Sequence, residues 1–385
     1  MTERLYDNSR LMTFDANVTA CTAEGKYFLI TLDRSAFFPE GGGQKGDVGM
    51  LGGCEVVDTY DKNGDVVHKC TGPLEVGRKV RGEIDRDVRS RRMQNHSGEH
   101  LLMGFIHRKL GYENVGFHLG SEDVTLDLDG VISHDDLREC EMLANRAIAD
   151  DLPVTISYPD SEALKALEYR SKLEMTENVR IVTIEGVDAC ACCAPHVSST
   201  GQIGIVKVLS AEKYKGGTRV HILCGTDAFE LICRRMDELS ALSKLLSAKP
   251  GKIFEQTERL LKENNELKCR LSEIEKQKAA ALIRSLKNEQ RGSFCIFTEG
   301  IGDTALREIA NQAVLLTDGA AGVFCSNGEG WNYIIASEKL PLKKMSAEIN
   351  QAVSGRGGGS DKMIQGSCVS DRNTIENYFK TISQF

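Results

Sequence analysis

The chain has 385 residues, of which 41% are hydrophobic and 27% charged, and its formal net charge is −8. This length predicts two to three domains, and the composition indicates globular domains, not intrinsic disorder. The acidic balance gives no general signature of nucleic-acid binding, so an RNA partner would need local basic patches. No apolar run approaches the roughly 18–20 residues that cross a bilayer, and the N-terminus lacks a signal peptide's apolar core. We therefore expect a cytoplasmic protein with no membrane partner.

Residues 1–87 are predicted to form a small β-barrel, because short apolar runs alternate with turn signals. A central Asn-Gly pair is typical of a hairpin turn. Three consecutive glycines precede Gln44 in this segment, and glycine permits positive φ and close backbone approach to another surface. The loop is either flexible or packed against a site, where it would offer Gln44, Gly42 and Gly43 to a substrate.

Residues 88–225 are predicted to be an α/β domain that begins with a helix carrying His96 and His100. The two histidines are four residues apart, which puts both rings on one face of a helix. Strands and helices then alternate up to a cysteine-rich segment with Cys192 and His196, where a proline indicates a loop. An isolated H-x-x-x-H is usually two unrelated histidines. Three imidazoles and a thiolate together are a ligand set suited to zinc.

The sequence holds thirteen cysteines, an odd number scattered mostly among apolar residues. This usage differs from the disulfide framework of small secreted domains, and we expect free thiols outside residues 190–193. Within that cluster, Cys190 and Cys193 also form a C-x-x-C pair. A redox protein therefore stays open as one alternative function.

Residues 226–290 are predicted to be a helical connector, because Ile253, Leu260, Leu267 and Ile274 recur every seven residues. Other seam positions are polar, so both a short coiled coil and a helical hairpin packed within the chain are open.

Residues 291–385 are predicted to form a separate α/β globular domain. It contains a glycine cluster at 355–359 around Arg356, which is either an anion contact or a flexible loop. The predicted fold class is thus α+β and multidomain: a barrel, an α/β metal-containing domain, a helical connector and a C-terminal α/β domain.

Two groups of basic residues are candidates for a local RNA-binding surface, and for each an ordinary solvated face is the alternative. The groups are Arg86, Arg89, Arg91 and Arg92, and Lys213, Lys215 and Arg219.

These motifs, in this order, resemble the AlaX proteins, free-standing relatives of the editing domain of alanyl-tRNA synthetase. The resemblance rests on E-G-G-G-Q-x-G-D at 40–47, H-S-G-E-H-L-L at 96–102, the loop with Cys192 and His196, and G-R-G-G-G at 355–359. It covers essentially the whole chain. The last segment is similar to the DHH-associated C-terminal domain, so the chain resembles the long form of AlaX.

The resemblance implies a hydrolase that acts in trans on tRNA(Ala) mischarged with serine or glycine. It also implies a zinc cofactor held by His96, His100, Cys192 and His196. Two further thiols lie in the same loop, so which thiolate binds the metal stays open at this point. A homodimer formed through the coiled coil or the C-terminal domain is a further expectation.

Glu99, Gln44 and His118 are the candidates for catalytic contact. Glu99 precedes a proposed ligand and is a candidate general base or hydrogen-bond partner, although its helix position can equally point it away. Because serine differs from alanine by one hydroxyl, selectivity favours a polar pocket, built from Gln44, His118 or Ser97. The substrate-binding candidates are Ser97, Gly42, Gly43, Arg180 and Arg356. Four protein ligands would close a tetrahedral site, so a zinc-stabilised tRNA-binding module without catalysis is the alternative.

Overall fold

The computed structural model describes residues 1–120, 123–171, 179–286 and 291–382. The chain divides into two compact units, Met1–Ala241 and Leu242–Phe385. In the described part of the chain, every helix is too short or too polar to cross a membrane. The finer division of the chain at residues 87, 225 and 290 stays a prediction.

The N-terminal unit begins with a run of strands. They are β1 (Glu3–Arg4), β2 (Thr13–Glu24), β3 (Tyr27–Leu32), β4 (Arg34–Ser35), β5 (Gly49–Leu51), β6 (Cys54–Lys62), β7 (Asp65–Cys70) and β8 (Lys79–Ile84). Strands β2-β3-β7-β6-β5-β8 close into a barrel, which confirms the predicted architecture. Every second residue of β8 faces the interior, as Val80 and Ile84 show. Asn63 and Gly64 join β6 to β7 with positive φ of 57° and 87°, the conformation that an Asn-Gly hairpin requires.

The rest of this unit mixes helices and strands. They are α1 (Arg86–Leu110), β9 (Asn114–Leu119), β10 (Val124–Leu128), α2 (His134–Ala149), β11 (Val154–Ser157), α3 (Ser161–Ala166), β12 (Ile181–Ile184), β13 (Asp188–Ala191), β14 (Val206–Tyr214), β15 (Gly217–Cys224) and α4 (Gly225–Leu245). One antiparallel sheet has the order β14-β15-β10-β9 and another the order β11-β12-β13. Leu101, Leu102 and Ile106 of α1 share a core with Leu126 and Ile222 of the larger sheet.

Helix α1 carries the two histidines, and its ends are set by the local sequence. The Asp85 carboxylate accepts a hydrogen bond of 3.0 Å from the Val88 N–H and so caps the N-terminus. Gly111 ends the helix with a φ of 72°, and its N–H donates to the carbonyl of His107 at 2.7 Å. The middle of α1 is buried. The histidines therefore lie inside the unit, not on its surface.

The C-terminal unit is a mixed α/β structure, as predicted. Its elements are α5 (Ile253–Ser285), β16 (Phe294–Glu299), α6 (Asp303–Ala313), β17 (Ala321–Ser326), β18 (Trp331–Ala336), α7 (Leu342–Ala352), β19 (Gly355–Gly359), β20 (Met363–Cys368) and α8 (Arg372–Ile382). Its sheet has the order β16-β17-β18-β20-β19. Along α5, exposed apolar side chains recur at Leu260, Leu267, Leu271 and Ile274. Their pairing in a coiled coil or a homodimer stays a prediction.

The glycine cluster around Arg356 is not a flexible loop, which corrects one of the two interpretations made from the sequence, while the anion contact stays a prediction. It is the edge strand β19, paired antiparallel with β20. A Cβ atom on Gly357 would lie 2.4 Å from the Gln365 carbonyl, and one on Gly359 would lie 2.3 Å from the Met363 carbonyl. Glycine is therefore needed for close strand approach, a role that the sequence pattern does not distinguish from a loop.

Candidate metal centre

Four side chains that are far apart in the sequence converge inside the N-terminal unit. One ligand atom from each of His96, His100, Cys192 and His196 lies within 4.8 Å of the others. The Sγ atom of Cys192 is 3.5 Å from Nε2 of His96 and 3.3 Å from Nε2 of His196. All three histidines are buried and Cys192 is half-buried. Such a set of nitrogen and sulfur donors can hold a metal ion.

The cysteine loop is held in place by Arg180, which lies just before strand β12. Its Nη1 donates to the carbonyls of Cys192 at 2.7 Å and Ala194 at 2.9 Å. The Cys192 N–H in turn donates to the Arg180 carbonyl at 3.1 Å. Nε of Arg180 is 3.3 Å from a carboxylate oxygen of Asp7, yet neither Nε nor Nη2 has a hydrogen-bond partner among the described residues. The guanidinium thus fixes the loop through Nη1, while the N–H groups of Nε and Nη2 remain buried without hydrogen-bond acceptors among the described residues.

The sequence left open which of three thiols joins the site, and the strand ending at Ala191 separates them. Cys190 lies on β13, Cys192 follows the strand and belongs to the cluster, and Cys193 is exposed. All thirteen cysteines are free, which confirms the prediction of free thiols for the ten outside residues 190–193. The geometry therefore favours Cys192 as the ligand.

Each of the three imidazoles has a polar partner on its outer nitrogen. Nδ1 of His96 is 2.9 Å from Oε1 of Gln44, and Nδ1 of His100 is 3.3 Å from Oδ2 of Asp188. Nδ1 of His196 is 3.0 Å from Oγ of Ser97. An amide oxygen and a carboxylate can only accept, so His96 and His100 carry their ring proton on Nδ1. This leaves Nε2 free to face the centre, the arrangement by which proteins orient metal-binding histidines.

Asp188 is itself fixed by a second charged residue. Arg170 donates from Nε to Oδ1 and from Nη2 to Oδ2, both at 2.8 Å, and both side chains are almost fully buried. Burial would raise the pKa of Asp188, but the Arg170 and His100 hydrogen bonds hold it well below its usual value. Asp188 is therefore a fixed anion behind His100.

The charges inside the cluster favour a thiolate. Burial would raise the pKa of Cys192, but His96 and His196 outweigh it and lower that pKa well below its ordinary value. Burial would likewise lower the pKa of His100, but Cys190 and the hydrogen bond to Asp188 raise it well above normal. For His196, burial dominates and lowers the pKa from 6.5 to about 3. The thiolate of Cys192 and the neutral imidazole of His196 are the forms that bind metals, whereas His100 must lose a proton when a metal binds.

The glycine loop packs against this cluster, as one of the two interpretations of the sequence predicted. Gly42 and Gly43 have φ of 61° and 81°, and a Cβ on Gly43 would lie 2.6 Å from the Phe117 ring. That ring is 4.8 Å from the His96 ring. Gln44 is completely buried, and its Nε2 has no hydrogen-bond partner among the described residues. The loop thus delivers to the site one side-chain amide, whose oxygen is engaged by His96 and whose nitrogen is unsatisfied.

A buried ion pair fixes this loop to helix α1. Nε of Arg89 is 3.0 and 2.9 Å from the two Asp47 carboxylate oxygens, and Nη2 donates to the Ala36 carbonyl at 2.7 Å. Arg92 donates to the Gly46 carbonyl at 2.6 Å. Both partners of the ion pair are almost completely buried, and removing one partner of such a pair costs about 3–5 kcal/mol.

Glu99 is buried next to the cluster. Its Oε1 accepts a hydrogen bond from Nδ2 of Asn114, while its Oε2 is 3.9 Å from Nε2 of His100. Asn114 Oδ1 accepts the Gly116 N–H at 3.0 Å, which fixes the orientation of the amide. Glu99 therefore does not point away, and one of its oxygens lies near the ring nitrogen that faces the centre.

The segments that build this centre match models of known families. Residues 179–221 match a family described as the threonyl and alanyl tRNA synthetase second additional domain. Residues 6–88 match a family described as class II (A) tRNA synthetases. Over 95% of its length the chain is 28% identical to the alanyl-tRNA editing protein AlaX-L of Pyrococcus horikoshii, 94% of which it covers. The chain is thus similar, along nearly the whole of both chains, to an AlaX-type editing protein.

The chain is also similar to full-length synthetases. It is 33% identical, over 95% of its length, to an alanine–tRNA ligase of Archaeoglobus fulgidus, and covers 42% of that enzyme. The chain thus spans about two-fifths of the length of the ligases that it matches. A crystal structure of the C-Ala domain of Aquifex aeolicus alanyl-tRNA synthetase matches 26% of the chain and 99% of that domain at 19% identity. Its TM-score of 0.23 supports no conclusion about the fold. The DHH-associated character of the last segment stays a prediction.

Three of the site residues named from the sequence are either exposed or engaged with a ligand of the centre. His118 is exposed on β9, because neighbouring strand residues face opposite sides and its neighbour Phe117 takes the inner position. Ser97 has its hydroxyl between His196 and the Val197 N–H, so it supports a ligand. Arg356 is exposed on β19 of the C-terminal unit. The predicted substrate contacts of His118, Ser97 and Arg356 gain no support from these positions.

The first basic group predicted as an RNA surface is also largely engaged inside the molecule. Arg89 is buried against Asp47, Arg92 binds the Gly46 carbonyl, and Arg91 binds Asp227 and Glu230. This prediction is therefore wrong for Arg89, because the ion pair that joins the barrel to α1 uses its guanidinium.

Sequence reasoning missed Asp188, Arg170 and Asn114, which support His100 and Glu99. Asp188 is 88 residues from His100, and Asn114 is 15 residues from Glu99. None of them belongs to a recognisable motif. The one available signal was the general rule that a metal-binding histidine has an acceptor on its other nitrogen.

Proposed function

We propose that this chain is an aminoacyl-tRNA deacylase that hydrolyses Ser-tRNA(Ala) in trans, with Gly-tRNA(Ala) as a second substrate. The observation that carries the proposal is the buried cluster of three imidazoles and one thiol, flanked by the Gln44 amide and the Glu99 carboxylate. The match to AlaX-L along nearly the whole of both chains supports it.

The residues fit a zinc ion. His96, His100, Cys192 and His196 would hold it, since zinc prefers nitrogen and sulfur donors and each histidine has its outer nitrogen engaged. When bound, zinc supplies a Lewis acid for the ester carbonyl.

Glu99 is proposed to be the general base. Asn114 donates a hydrogen bond to Oε1 of Glu99, which therefore acts as an acceptor. The other carboxylate oxygen, Oε2, lies near Nε2 of His100 and faces the centre. In the proposed step, Glu99 takes a proton from the attacking water while the oxygen of that water bonds to the ester carbonyl carbon. The ester C–O bond then breaks, the ribose hydroxyl leaves with the proton, and serine is released.

Gln44 is proposed to recognise the amino acid. Its Oε1 is engaged by His96, but its buried Nε2 has no partner among the described residues. A buried donor that serine's hydroxyl satisfies discriminates strongly against alanine, because an unsatisfied polar group is costly. Glycine also lacks the hydroxyl, so Gly-tRNA(Ala) should be the poorer of the two substrates. The amides of Gly42 and Gly43 and the unsatisfied donors of Arg180 are further proposed substrate contacts.

The competing function is a zinc-stabilised tRNA-binding module without catalysis. Four protein ligands favour it, because closed four-ligand sites are usually structural. The deciding experiment measures serine release from Ser-tRNA(Ala) with and without a chelator. Chelator-sensitive release supports the deacylase, whereas tRNA binding without turnover supports the module. Cysteine oxidation coupled to electron transfer, with no ester cleavage, would support a redox protein.

A Glu99→Gln variant separates catalysis from metal binding. It keeps the shape of the side chain and removes the base, so we expect serine release to fall about 100-fold or more with metal content unchanged. Equal rates for the variant and the wild type would exclude Glu99 as the base.

A further inference from the structure

A groove lies on the surface of the N-terminal unit between helix α2 and the edge strand β14. Its volume is about 500 Å³. One side is formed by Leu137, Arg138 and Glu141 of α2, and the other by residues 207–213 of β14. We refer to it as the α2–β14 groove. It is separate from the metal centre, and none of its lining residues belongs to the four-residue cluster.

The uncompensated charge in this groove is positive. Arg138 and Lys213 are exposed and have no ion pair or hydrogen-bond partner among the described residues. Lys207 is neutralised by Glu141, its Nζ lying 2.6 Å from Oε1. Glu212 also lines the groove, so the groove carries three cationic side chains, Arg138, Lys207 and Lys213, against two carboxylates, Glu141 and Glu212, a formal charge of +1. A net positive patch in a chain of net charge −8 favours a polyanionic partner.

The backbone of β14 is protected at one end of the groove and open at the other. Asn145 binds the N–H and the carbonyl of Val206 at 3.0 and 2.8 Å, and Glu141 accepts the Val208 N–H at 2.8 Å. Past the register shift that follows Val208, no described side chain binds the backbone of residues 209–214. Edge strands of this kind have N–H groups that face away from the sheet. Basic side chains and open N–H groups together are the donors that bind phosphate.

The position of the groove rules out contact with the reacting ester. Strands β14 and β9 are opposite edges of one four-stranded sheet, and β9 carries Phe117, whose ring is 4.8 Å from His96. Three strand spacings separate these edges by about 14 Å. A ligand in the groove therefore contributes to substrate binding and not to the chemical step.

We propose that the α2–β14 groove binds the phosphate backbone of tRNA upstream of its aminoacylated end, through Arg138 and Lys213. This inference rests on the proposed deacylase function. Each lost phosphate contact weakens binding and reduces its dependence on salt, because fewer counterions are released.

The test uses the full chain with Arg138→Gln and Lys213→Gln combined. The matched control combines Lys26→Gln and Arg78→Gln, which removes the same charge from exposed positions on the barrel. For Ser-tRNA(Ala), we expect KM of the groove variant to rise about 10- to 100-fold at low salt with kcat unchanged. The slope of log KM against log salt should fall by about 2. The control should match the wild type.

A second substrate isolates the contact. A serylated adenosine, which corresponds to the terminal nucleoside of the tRNA, carries no phosphate for the groove, so wild type and groove variant should have equal KM for it. Equal KM of wild type and groove variant for the full tRNA would overturn the proposal and leave the groove to another partner, such as an acidic peptide. An equal rise in the barrel control would overturn it too, by assigning the effect to net charge. If the wild type releases serine from neither substrate, the deacylase function itself is wrong.

Discussion

The barrel and the metal centre each bury a histidine completely, and they satisfy its ring in different ways. In the barrel, Nε2 of His68 is 2.8 Å from Oγ of Ser35, and Nδ1 is 3.0 Å from the Ile30 carbonyl. In the metal centre, Nδ1 of His196 is 3.0 Å from Oγ of Ser97, but Nε2 faces the thiol of Cys192 and two other imidazoles. Burial alone therefore does not mark a functional histidine. The surroundings of the second ring nitrogen, Nε2, distinguish the two cases. In His68 it is hydrogen-bonded to a neighbouring side chain, whereas in His196 it faces the other candidate metal ligands.

The largest expected effect comes from replacing each of these histidines by asparagine. His196→Asn should lose the metal and lower serine release by more than 100-fold. Loss of only the hydrogen-bond partner of a metal-binding histidine costs about 10- to 100-fold, so loss of the ligand itself should cost more. His68→Asn should keep the metal and kcat, and should lower the free energy of unfolding by about 1–3 kcal/mol. Metal content, serine release and denaturant unfolding of both variants check this. If His68→Asn also lost the metal, the two regions would not be independent.

The barrel histidine should also make stability depend on pH. Burial lowers the pKa of His68 from 6.5 to about 4. Between these values the unfolded chain binds more protons, so His68 contributes stability that is lost as pH falls from 6.5 to 4. The loss is about 3 kcal/mol. Denaturant unfolding of both proteins at pH 4 and pH 7 measures this loss. The drop in the free energy of unfolding from pH 7 to pH 4 should be about 3 kcal/mol smaller in His68→Asn than in the wild type. The same pH dependence in both proteins would contradict the assignment.

A smaller effect is expected from the partner of His100. Asp188→Asn should lower zinc affinity about 10- to 100-fold, because the amide no longer orients and supports the imidazole as the carboxylate does. Asp123→Asn is the matched control, since Asp123 lies 2.6 Å from Nδ1 of His221 outside the cluster. Competition with a chelating dye measures both affinities. Equal losses in the two variants would mean that Asp188 acts through general charge, not through His100.

The smallest effect separates the two serines that serve the two histidines. Ser97→Ala and Ser35→Ala each remove one hydroxyl partner and should each cost about 1 kcal/mol of stability. Only Ser97→Ala should also weaken zinc binding, by about tenfold. If Ser97→Ala changes stability alone, Ser97 does not orient His196. That result would restore its predicted role as a substrate contact to consideration.

The sequence was sufficient for features encoded by short local patterns. Alternating strands and an Asn-Gly pair predicted the barrel, and Asp85 and Gly111 end α1 where ordinary capping rules place them. Helical periodicity put His96 and His100 on one face, and the structure brings the loop with Cys192 to that face.

The remainder depended on details that local patterns do not contain. Whether His118 or Phe117 faces the cluster is decided by a one-residue register in β9, and no turn signal fixes it. The pairing of Arg170 and Asp188 depends on tertiary folding, so neither residue stood out. Arg356 lies in a run of glycines that suits a loop as well as a tightly paired edge strand. Only the position of the neighbouring strand distinguishes the two.

The central claim is that side chains of α1 and of the cysteine loop together hold one metal ion. X-ray absorption at the zinc edge of the purified protein tests this claim most directly. The account predicts one zinc per chain, surrounded by three nitrogen donors at about 2.0–2.1 Å and one sulfur at about 2.3 Å, with the sulfur lost in Cys192→Ala. Absence of zinc, a shell with no sulfur, or a sulfur that persists in Cys192→Ala would contradict it.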